Sequence, residues 1–183
     1  ATITDDDLPP TVTWTSASQA SAAETGTLAV TAQLSAPSGL TITVPFTVTG
    51  TASDPADYGI TVSPITITAG ATTGTATITI AVDALDENNE TVILTMGTPT
   101  NATLGTTTVH TATITDDDDP PTVNWTSASQ ASVNETGTLS VAAQLSAPSG
   151  LTVTVPFTVT GTASDPADYG ITASPITIAA GAT

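Results

Sequence analysis

The sequence predicts an all-β fold, and three observations lead to that prediction. Thr makes up 44 of the 183 residues, and Thr, Val and Ile favour the pleated, half-buried surface of a strand over a helix. Apolar and polar residues alternate through much of the chain, which is the two-residue period of a strand with one buried face. A long segment also repeats, at about the length of one β-sandwich domain. An all-helical fold is therefore excluded.

The repeat has a period of 111 residues, because the segment ATITDDD begins at Ala1 and again at Ala112. Residues 1–72 and 112–183 are identical at 63 of 72 positions. We predict that residues 1–8 end a preceding repeat, that 9–119 form a complete repeat, and that 120–183 begin the next one. Since 120–183 lack a counterpart of residues 73–111, we expect either a longer tandem array or neighbouring chains that complete the broken repeat.

Three alternating runs in the complete repeat predict strands at 28–34, 40–48 and 76–82. Turns rich in Pro, Gly, Asp and Asn separate these runs. About seven short strands at this spacing are typical of an antiparallel, Ig-like Greek-key β-sandwich. Pro45 indicates an edge position for its strand, because proline cannot donate a ladder hydrogen bond. Trp14 lies on the apolar face of its run and is interpreted as a core residue.

The composition excludes several functions. The formal charge is −17 with no Lys or Arg, so binding to nucleic acid or to an anionic membrane surface is not expected. Without Cys, the chain has no disulfide framework and no thiolate metal site. No apolar run approaches the ~20 residues of a membrane span. The one histidine, His110, offers no nucleophile–base pair, so we predict a strand histidine and a protein that is not an enzyme.

The acids of the complete repeat lie at the ends of the alternating runs or in loops. Because the loops of a sandwich gather at its two ends, acids from separate segments can meet at one end. Two carboxylates ~4 Å apart repel by about 1 kcal/mol even in water, and no basic side chain is present to offset this. Either the acids stay apart in solvent or a cation holds them. Oxygen ligands in a loose geometry favour Ca²⁺ over Mg²⁺.

Four motifs occur in a characteristic order: GTASDPADY from Gly50, ITITAG from Ile65, ITIAVDALDENNETVIL from Ile78 and ATITDDD from Ala112. In this order they resemble the Calx-β domain over the whole repeat. The resemblance implies a seven-stranded sandwich with Ca²⁺ at one end, as in the regulatory domains of sodium–calcium exchangers and in bacterial surface arrays. The metal ligands that it implies are Glu24, Asp57, Asp83, Glu87, Glu90, Asp116, Asp117 and Asp118.

One loop departs from the pattern of the calcium-regulatory members. Ala84 and Leu85 follow Asp83, where those members carry adjacent aspartates. This difference implies one or two ions, or weaker binding, and the alternative is a solvated acidic end without metal. The partial repeats carry only some of the same acids, namely Glu135 and Asp168 in one and Asp5, Asp6 and Asp7 in the other.

We interpret the chain as an extracellular structural or adhesive array, such as a surface fibre, a filament or an adhesin stalk. Its expected partners are calcium ions at the repeat junctions, which the metal would stiffen, and neighbouring repeats or identical chains in a fibre. The alternative is a calcium-sensing regulatory domain of a membrane transporter. Near-identical copies argue against that alternative, because sensors need few, diverged domains.

Overall fold

The computed structural model describes residues 1–2, 6–20 and 23–183, and all regular elements in that part are β-strands. The strands are β1 (Thr11–Trp14), β2 (Ser18–Ala20), β3 (Thr27–Leu34), β4 (Ile42–Val44), β5 (Phe46–Gly50), β6 (Tyr58–Ile60), β7 (Ile65–Ile67), β8 (Thr73–Ile80), β9 (Glu90–Met96), β10 (Thr103–Leu104), β11 (Val109–Ile114), β12 (Val123–Trp125), β13 (Ala143–Leu145), β14 (Val153–Val155) and β15 (Ile176–Ile178). Among the described residues, no helix has the length and apolar character that crossing a membrane requires. The predicted all-β class is confirmed.

The chain divides into two compact units. The first comprises Ala1–Asp83 and Asn89–Asp117, and the second comprises Ala84–Asn88 and Asp118–Thr183. The first unit is a sandwich of a five-stranded sheet, in the order β10-β1-β3-β8-β6, and a four-stranded sheet, in the order β2-β11-β9-β5. Strands β4 and β7 form a separate antiparallel pair. The predicted boundaries at residues 8 and 119 stay a prediction.

The core of the first unit follows the alternation in the sequence. In β3 and β8 every second residue is buried, at Val30, Ala32 and Leu34 and at Ala76, Ile78 and Ile80. Residues of β9 and β11 line the opposite face of the core. Trp14 is only 2% exposed, and its indole Nε1 donates to the carbonyl oxygen of Thr108 at 3.1 Å. The prediction that Trp14 is a core residue is confirmed.

The predicted run 40–48 is divided into two strands at Pro45. Strand β4 pairs with β7, whereas β5 pairs with β9 at the edge of the four-stranded sheet. The amide of Phe46 donates to Ser63 Oγ at 2.8 Å, and the amide of Gly97 donates to the Pro45 carbonyl at 2.7 Å. Proline has no N–H for a ladder, so the chain changes partners at this residue. A period of two cannot reveal the change, because it continues through Pro45.

His110 lies in β11, as the sequence predicts, and is 2% exposed. Its Nδ1 is 2.7 Å from the carbonyl oxygen of Ser16. Because a carbonyl only accepts hydrogen bonds, Nδ1 carries the proton in this contact. The imidazole also packs edge-on against Trp14, with ring centroids 6.4 Å apart. His110 therefore has a structural role in this strand.

The second unit contains two antiparallel strand pairs, β12 with β13 and β14 with β15. Their registers repeat those of the first unit at the period of the sequence: Val123 is opposite Leu145, as Val12 is opposite Leu34. The edge-to-face contact between Trp125 and Phe157 has a centroid distance of 6.4 Å. Local pairing is thus reproduced where the sequence repeats.

Candidate metal centre

The strands of the five-stranded sheet place several acids at the same end of the first unit. Strand β8 ends at Ile80, which is opposite Tyr58, the first residue of β6. Strand β3 begins at Thr27, opposite Thr79 near the end of β8. Where two strands run antiparallel, one begins at the end of the sheet where the other finishes. The segments that carry Glu24, Asp57 and Asp83 therefore lie at the same end of this sheet.

The four-stranded sheet has the same arrangement. Glu90 is the first residue of β9 and is opposite Ile114, the last residue of β11. The acids from Asp116 onward therefore follow the end of β11 beside the start of β9. Carboxylates from the two sheets meet at this end in two pairs.

The first pair joins Glu24 and Asp116, which each offer a carboxylate oxygen within 4.8 Å of the other. Glu24 is 8% exposed. Asp116 Oδ1 is buried and has no hydrogen-bond partner among the described residues. The backbone amide of Asp116 donates to Asn89 Oδ1 at 3.1 Å, and the amide of Glu24 donates to Asp117 Oδ1 at 3.3 Å. Glu24 precedes β3 and Asp116 follows β11, so this pair bridges the two sheets.

The second pair joins Asp57 and Glu90, whose carboxylate oxygens also lie within 4.8 Å. The amide of Asp57 donates to the Ser53 carbonyl at 2.8 Å, and Asp57 Oδ2 accepts from the amide of Ser53. The carbonyl of Asp57 accepts from the amide of Ala81 at 2.9 Å, just beyond β8. The turn before β6 is thereby fixed, and with it the position of this carboxylate.

The remaining predicted ligands are placed differently. Asp83 is exposed and belongs to neither pair, and Asp117 is exposed with one oxygen used by the amide of Glu24. Asp118 and Glu87 belong to the second unit. Asp118 follows Asp116 by two residues, and Glu87 precedes Glu90 by three. The chain itself therefore keeps each of them within about 11 Å of that neighbouring acid.

The acids of the partial repeats are exposed where the structure describes them. Asp6, Asp7, Glu135 and Asp168 are all exposed, and Asp5 lies outside the described residues. Asp168 repeats the turn of Asp57, since its Oδ2 accepts from the amide of Ser164 at 2.8 Å. Sequence reasoning missed Asn89, whose side chain holds the backbone at Asp116. In the sequence this residue has the appearance of an ordinary turn asparagine.

The electrostatics of this end are those of an anionic site without a basic partner. Two carboxylates at 4.8 Å repel by about 1 kcal/mol in water, and by more where they are partly buried. The pKa of the Tyr58 phenol is raised above its ordinary value of 10.0 by burial, and next by the charges of Asp54 and Asp57. Oxygen-only ligands of this kind suit a hard divalent cation, and flexible carboxylates with room for carbonyl and water ligands suit Ca²⁺.

The sequence profile of the Calx-beta domain matches residues 5–118 and 116–183. Among curated proteins, no sequence matches this chain significantly. Among solved structures, the chain is similar to the crystal structure of CBD12 from CALX1.2, at 19% identity and a TM-score of 0.54, over 59% of this chain and 44% of that one.

Two further solved structures show the same similarity. One is the apo-form Calx CBD1 domain, at 18% identity and a TM-score of 0.54, over 61% of this chain and 100% of that one. The other is the calcium binding domain CBD12 of CALX1.1, at 18% identity and a TM-score of 0.54, over 69% of this chain and 52% of that one. The chain thus spans about half the length of the CBD12 structures, and at such identities the likeness concerns the fold. The resemblance drawn from the motifs is confirmed by the family match over both repeats, and the chain belongs to the Calx-beta domain family.

Proposed function

We propose that this chain is part of an extracellular structural or adhesive array of calcium-binding repeats. Ca²⁺ bound at the acidic end of each complete repeat stiffens the connection to the next. The proposal rests on two carboxylate pairs that each join the two sheets, Glu24 with Asp116 and Asp57 with Glu90. The chain has no Lys or Arg that could neutralise them. A divalent cation removes the repulsion within each pair.

The ion would act on the segment that leaves the first unit. Asp116 Oδ1 is buried without a partner among the described residues, and burying such an oxygen is costly unless a ligand compensates it. A cation there ties the end of β11 to the start of β3. Three more acids and then Pro120 and Pro121 follow in the chain. Since proline stiffens a linker, fixing Asp116 leaves few free dihedrals before the next repeat.

The composition supports an extracellular location. The two copies are nearly identical and the chain has no Cys, as suits an array in calcium-bearing surroundings. The absence of Lys and Arg also leaves no site for trypsin-like proteases. Bound Ca²⁺ lowers the self-repulsion that a charge of −17 imposes on the compact state.

The second candidate is a calcium-sensing domain, which the similarity to the Calx CBD structures favours. The dissociation constant separates the two functions. Sensors bind Ca²⁺ with Kd of about 10⁻⁷–10⁻⁵ M, whereas extracellular modules bind at about 10⁻⁴–10⁻³ M. Isothermal titration of the full chain should therefore give a Kd in the upper range, and a submicromolar Kd would favour the sensor.

Differential scanning calorimetry of the full chain in EGTA and in Ca²⁺ tests whether the site exists. At free Ca²⁺ about 100-fold above Kd, binding stabilises the folded form by ~2.7 kcal/mol, so the melting temperature of the first unit should rise. Mg²⁺ at the same concentration should raise it less, because it demands a stricter octahedral geometry. A melting temperature that Ca²⁺ leaves unchanged contradicts the proposal.

Two asparagine variants separate a site from general charge screening. Asp116→Asn removes a charge from the first pair, and we expect it to abolish most of the Ca²⁺-dependent rise. Asp119→Asn removes the same charge from an exposed acid outside both pairs, and it should keep the rise. Equal losses in the two variants would mean that Ca²⁺ acts by diffuse screening.

A further inference from the structure

The same six-residue turn occurs twice in the chain. Residues 35–40 and 146–151 both read Ser-Ala-Pro-Ser-Gly-Leu. In the first copy the amide of Leu40 donates to Ser38 Oγ at 3.1 Å, and in the second the amide of Leu151 donates to Ser149 Oγ at 3.1 Å. The carbonyl of each serine also accepts from a glycine amide at 2.8 Å, 32 residues later. The two turns therefore present the same shape.

In the second unit this turn is covered by the segment Ala84–Asn88. The amide of Gly150 donates to the carbonyl of Asp86 at 3.1 Å. Ser149 Oγ lies 3.2 Å from the same carbonyl and 3.1 Å from Asp86 Oδ2. Asp86 and Ser149 also form an isolated parallel bridge, and Ser149 is 0% exposed.

The covering segment fits closely. A Cβ atom added at Gly150 would lie 2.2 Å from Glu87 Oε1 and 2.5 Å from Glu87 Cγ. The glutamate side chain therefore lies directly over the glycine. Asp86 is not among the ligands that the family resemblance implies.

In the first unit the identical turn is open. A Cβ at Gly39 would meet nothing within 4 Å among the described residues, and Leu40 is 60% exposed. Ser38 is partly exposed, whereas its counterpart Ser149 is fully buried. The two turns have the same sequence and the same internal hydrogen bonds. They differ because only the second is covered by the segment Ala84–Asn88.

We propose that the turn 37–40 is a docking surface for the 84–88 loop of another copy of this repeat, joined immediately ahead of residue 1. Continuity with the contact in the second unit identifies the partner: the same loop lies on the same turn sequence there. Such a head-to-tail contact uses two different patches and propagates along an array. The inference rests on the tandem arrangement of the proposed array, but it does not require calcium.

Hydrogen exchange followed by NMR tests the proposal on a chain with a copy of residues 1–111 added ahead of Ala1. In the unextended chain we expect the amide of Gly39 to exchange faster than that of Gly150, which donates to the carbonyl of Asp86. In the extended chain the Gly39 amide should slow by roughly tenfold, the upper effect of one net hydrogen bond. An unchanged Gly39 rate overturns the proposal.

Two controls make the result specific. Replacing Leu85, Asp86 and Glu87 of the added copy by Gly-Ser-Gly should return the Gly39 amide to its fast rate, and continued protection would overturn the proposal. Protection of Gly39 in an oligomer of the unextended chain would also contradict it, because the partner would then be a separate molecule. All measurements are made in EDTA and in Ca²⁺, so slowing in EDTA supports docking even if Ca²⁺ has no effect on melting.

Discussion

Trp14 and Trp125 occupy equivalent positions in the two repeats and experience opposite environments. Trp14 is 2% exposed and Trp125 is 46% exposed, although each ring packs edge-to-face on the equivalent phenylalanine. The same contrast holds for Val12 and Val123, at 0% and 38%. Local pairing thus follows from the repeated sequence, whereas burial depends on strands that lie elsewhere in the chain.

Strand length shows the same dependence. Strand β3 runs for 8 residues and pairs with β8 from Thr27 to Gln33, whereas its counterpart β13 has 3 residues. Residues 120–183 contain no counterpart of β8, β9 or β11, because those strands correspond to residues 73–114 of the first repeat. The pair β14–β15 forms nonetheless, in the register of β4–β7. The β14–β15 pair therefore forms from segments that are both present within residues 120–183.

Adding counterparts of β8, β9 and β11 to the second repeat should remove the difference in exposure between Trp14 and Trp125. This is the largest effect we expect. A chain extended after Thr183 by a copy of residues 73–119 should bury Trp125 as deeply as Trp14. Each large apolar side chain that becomes buried contributes about 1.5–3 kcal/mol. Acrylamide quenching measures the result directly, because the added segment contains no Trp. Both indoles should be shielded in the extended chain, and one of the two in the unextended chain.

An extension of the same composition in scrambled order is the control for this experiment. It should leave Trp125 as accessible to acrylamide as before, because the strands must pair in register. If the ordered extension also left Trp125 accessible, the difference between the repeats would not come from the strands β8, β9 and β11.

Truncating each tryptophan measures the energetic side of the comparison. Trp14→Ala should cost about 3–5 kcal/mol, as for other buried aromatic residues, since it leaves a cavity and removes the contact with Phe46. Trp125→Ala should cost far less, since nearly half of this side chain is already in water. Urea unfolding followed by circular dichroism gives both values. Equal costs would show that Trp125 is buried in solution.

The sequence predicts those features that depend on local order. Alternation predicts β3 and most of β8, but β8 ends at Ile80, and Val82 in the predicted run is exposed. The acids lie at strand ends or in loops, as predicted. The sequence pattern does not predict that the chain changes its partner strand at Pro45, or that Glu24 is buried. These features depend on which distant strands are adjacent. The contact of Asp86 with Ser149 is non-local in the same sense.

A matched pair of glycines sharpens the comparison at the backbone. Gly50 and Gly161 both have positive φ, of 138° and 151°. A Cβ at Gly50 would lie 2.0 Å from the carbonyl oxygen of Thr91 in β9, whereas a Cβ at Gly161 would meet no atom of the described residues within 4 Å. Alanine is strained at both positions by the left-handed backbone, but only Gly50→Ala adds the clash.

We therefore expect Gly50→Ala to destabilise its unit by about 1–3 kcal/mol more than Gly161→Ala does, the usual cost of overpacking. Urea unfolding of the two variants measures the difference. Equal destabilisation would mean that the φ value alone makes glycine necessary here, and that β5 and β9 can separate to admit a methyl group.

The smallest expected effect concerns Tyr58, which lies beside the second carboxylate pair in the complete repeat. Burial, Asp54 and Asp57 raise its pKa above 10.0. A cation near Asp57 opposes the effect of these charges, so Ca²⁺ should lower the pKa of Tyr58, and Asp57→Asn should lower it without Ca²⁺. Ultraviolet absorbance of the phenolate measures the shift, with Tyr58→Phe supplying the curve of Tyr169 for subtraction.

The sign of the accompanying stability change follows from linkage. Because the folded pKa of Tyr58 lies above the unfolded value, its contribution to stability is complete below pH 10 and is lost as the pH rises through the folded pKa. Tyr58→Phe should therefore lose less stability than the natural chain between neutral pH and the alkaline range. If Ca²⁺ lowered the pKa equally in Asp57→Asn, the ion would act from a distance, and the second carboxylate pair would not be its site.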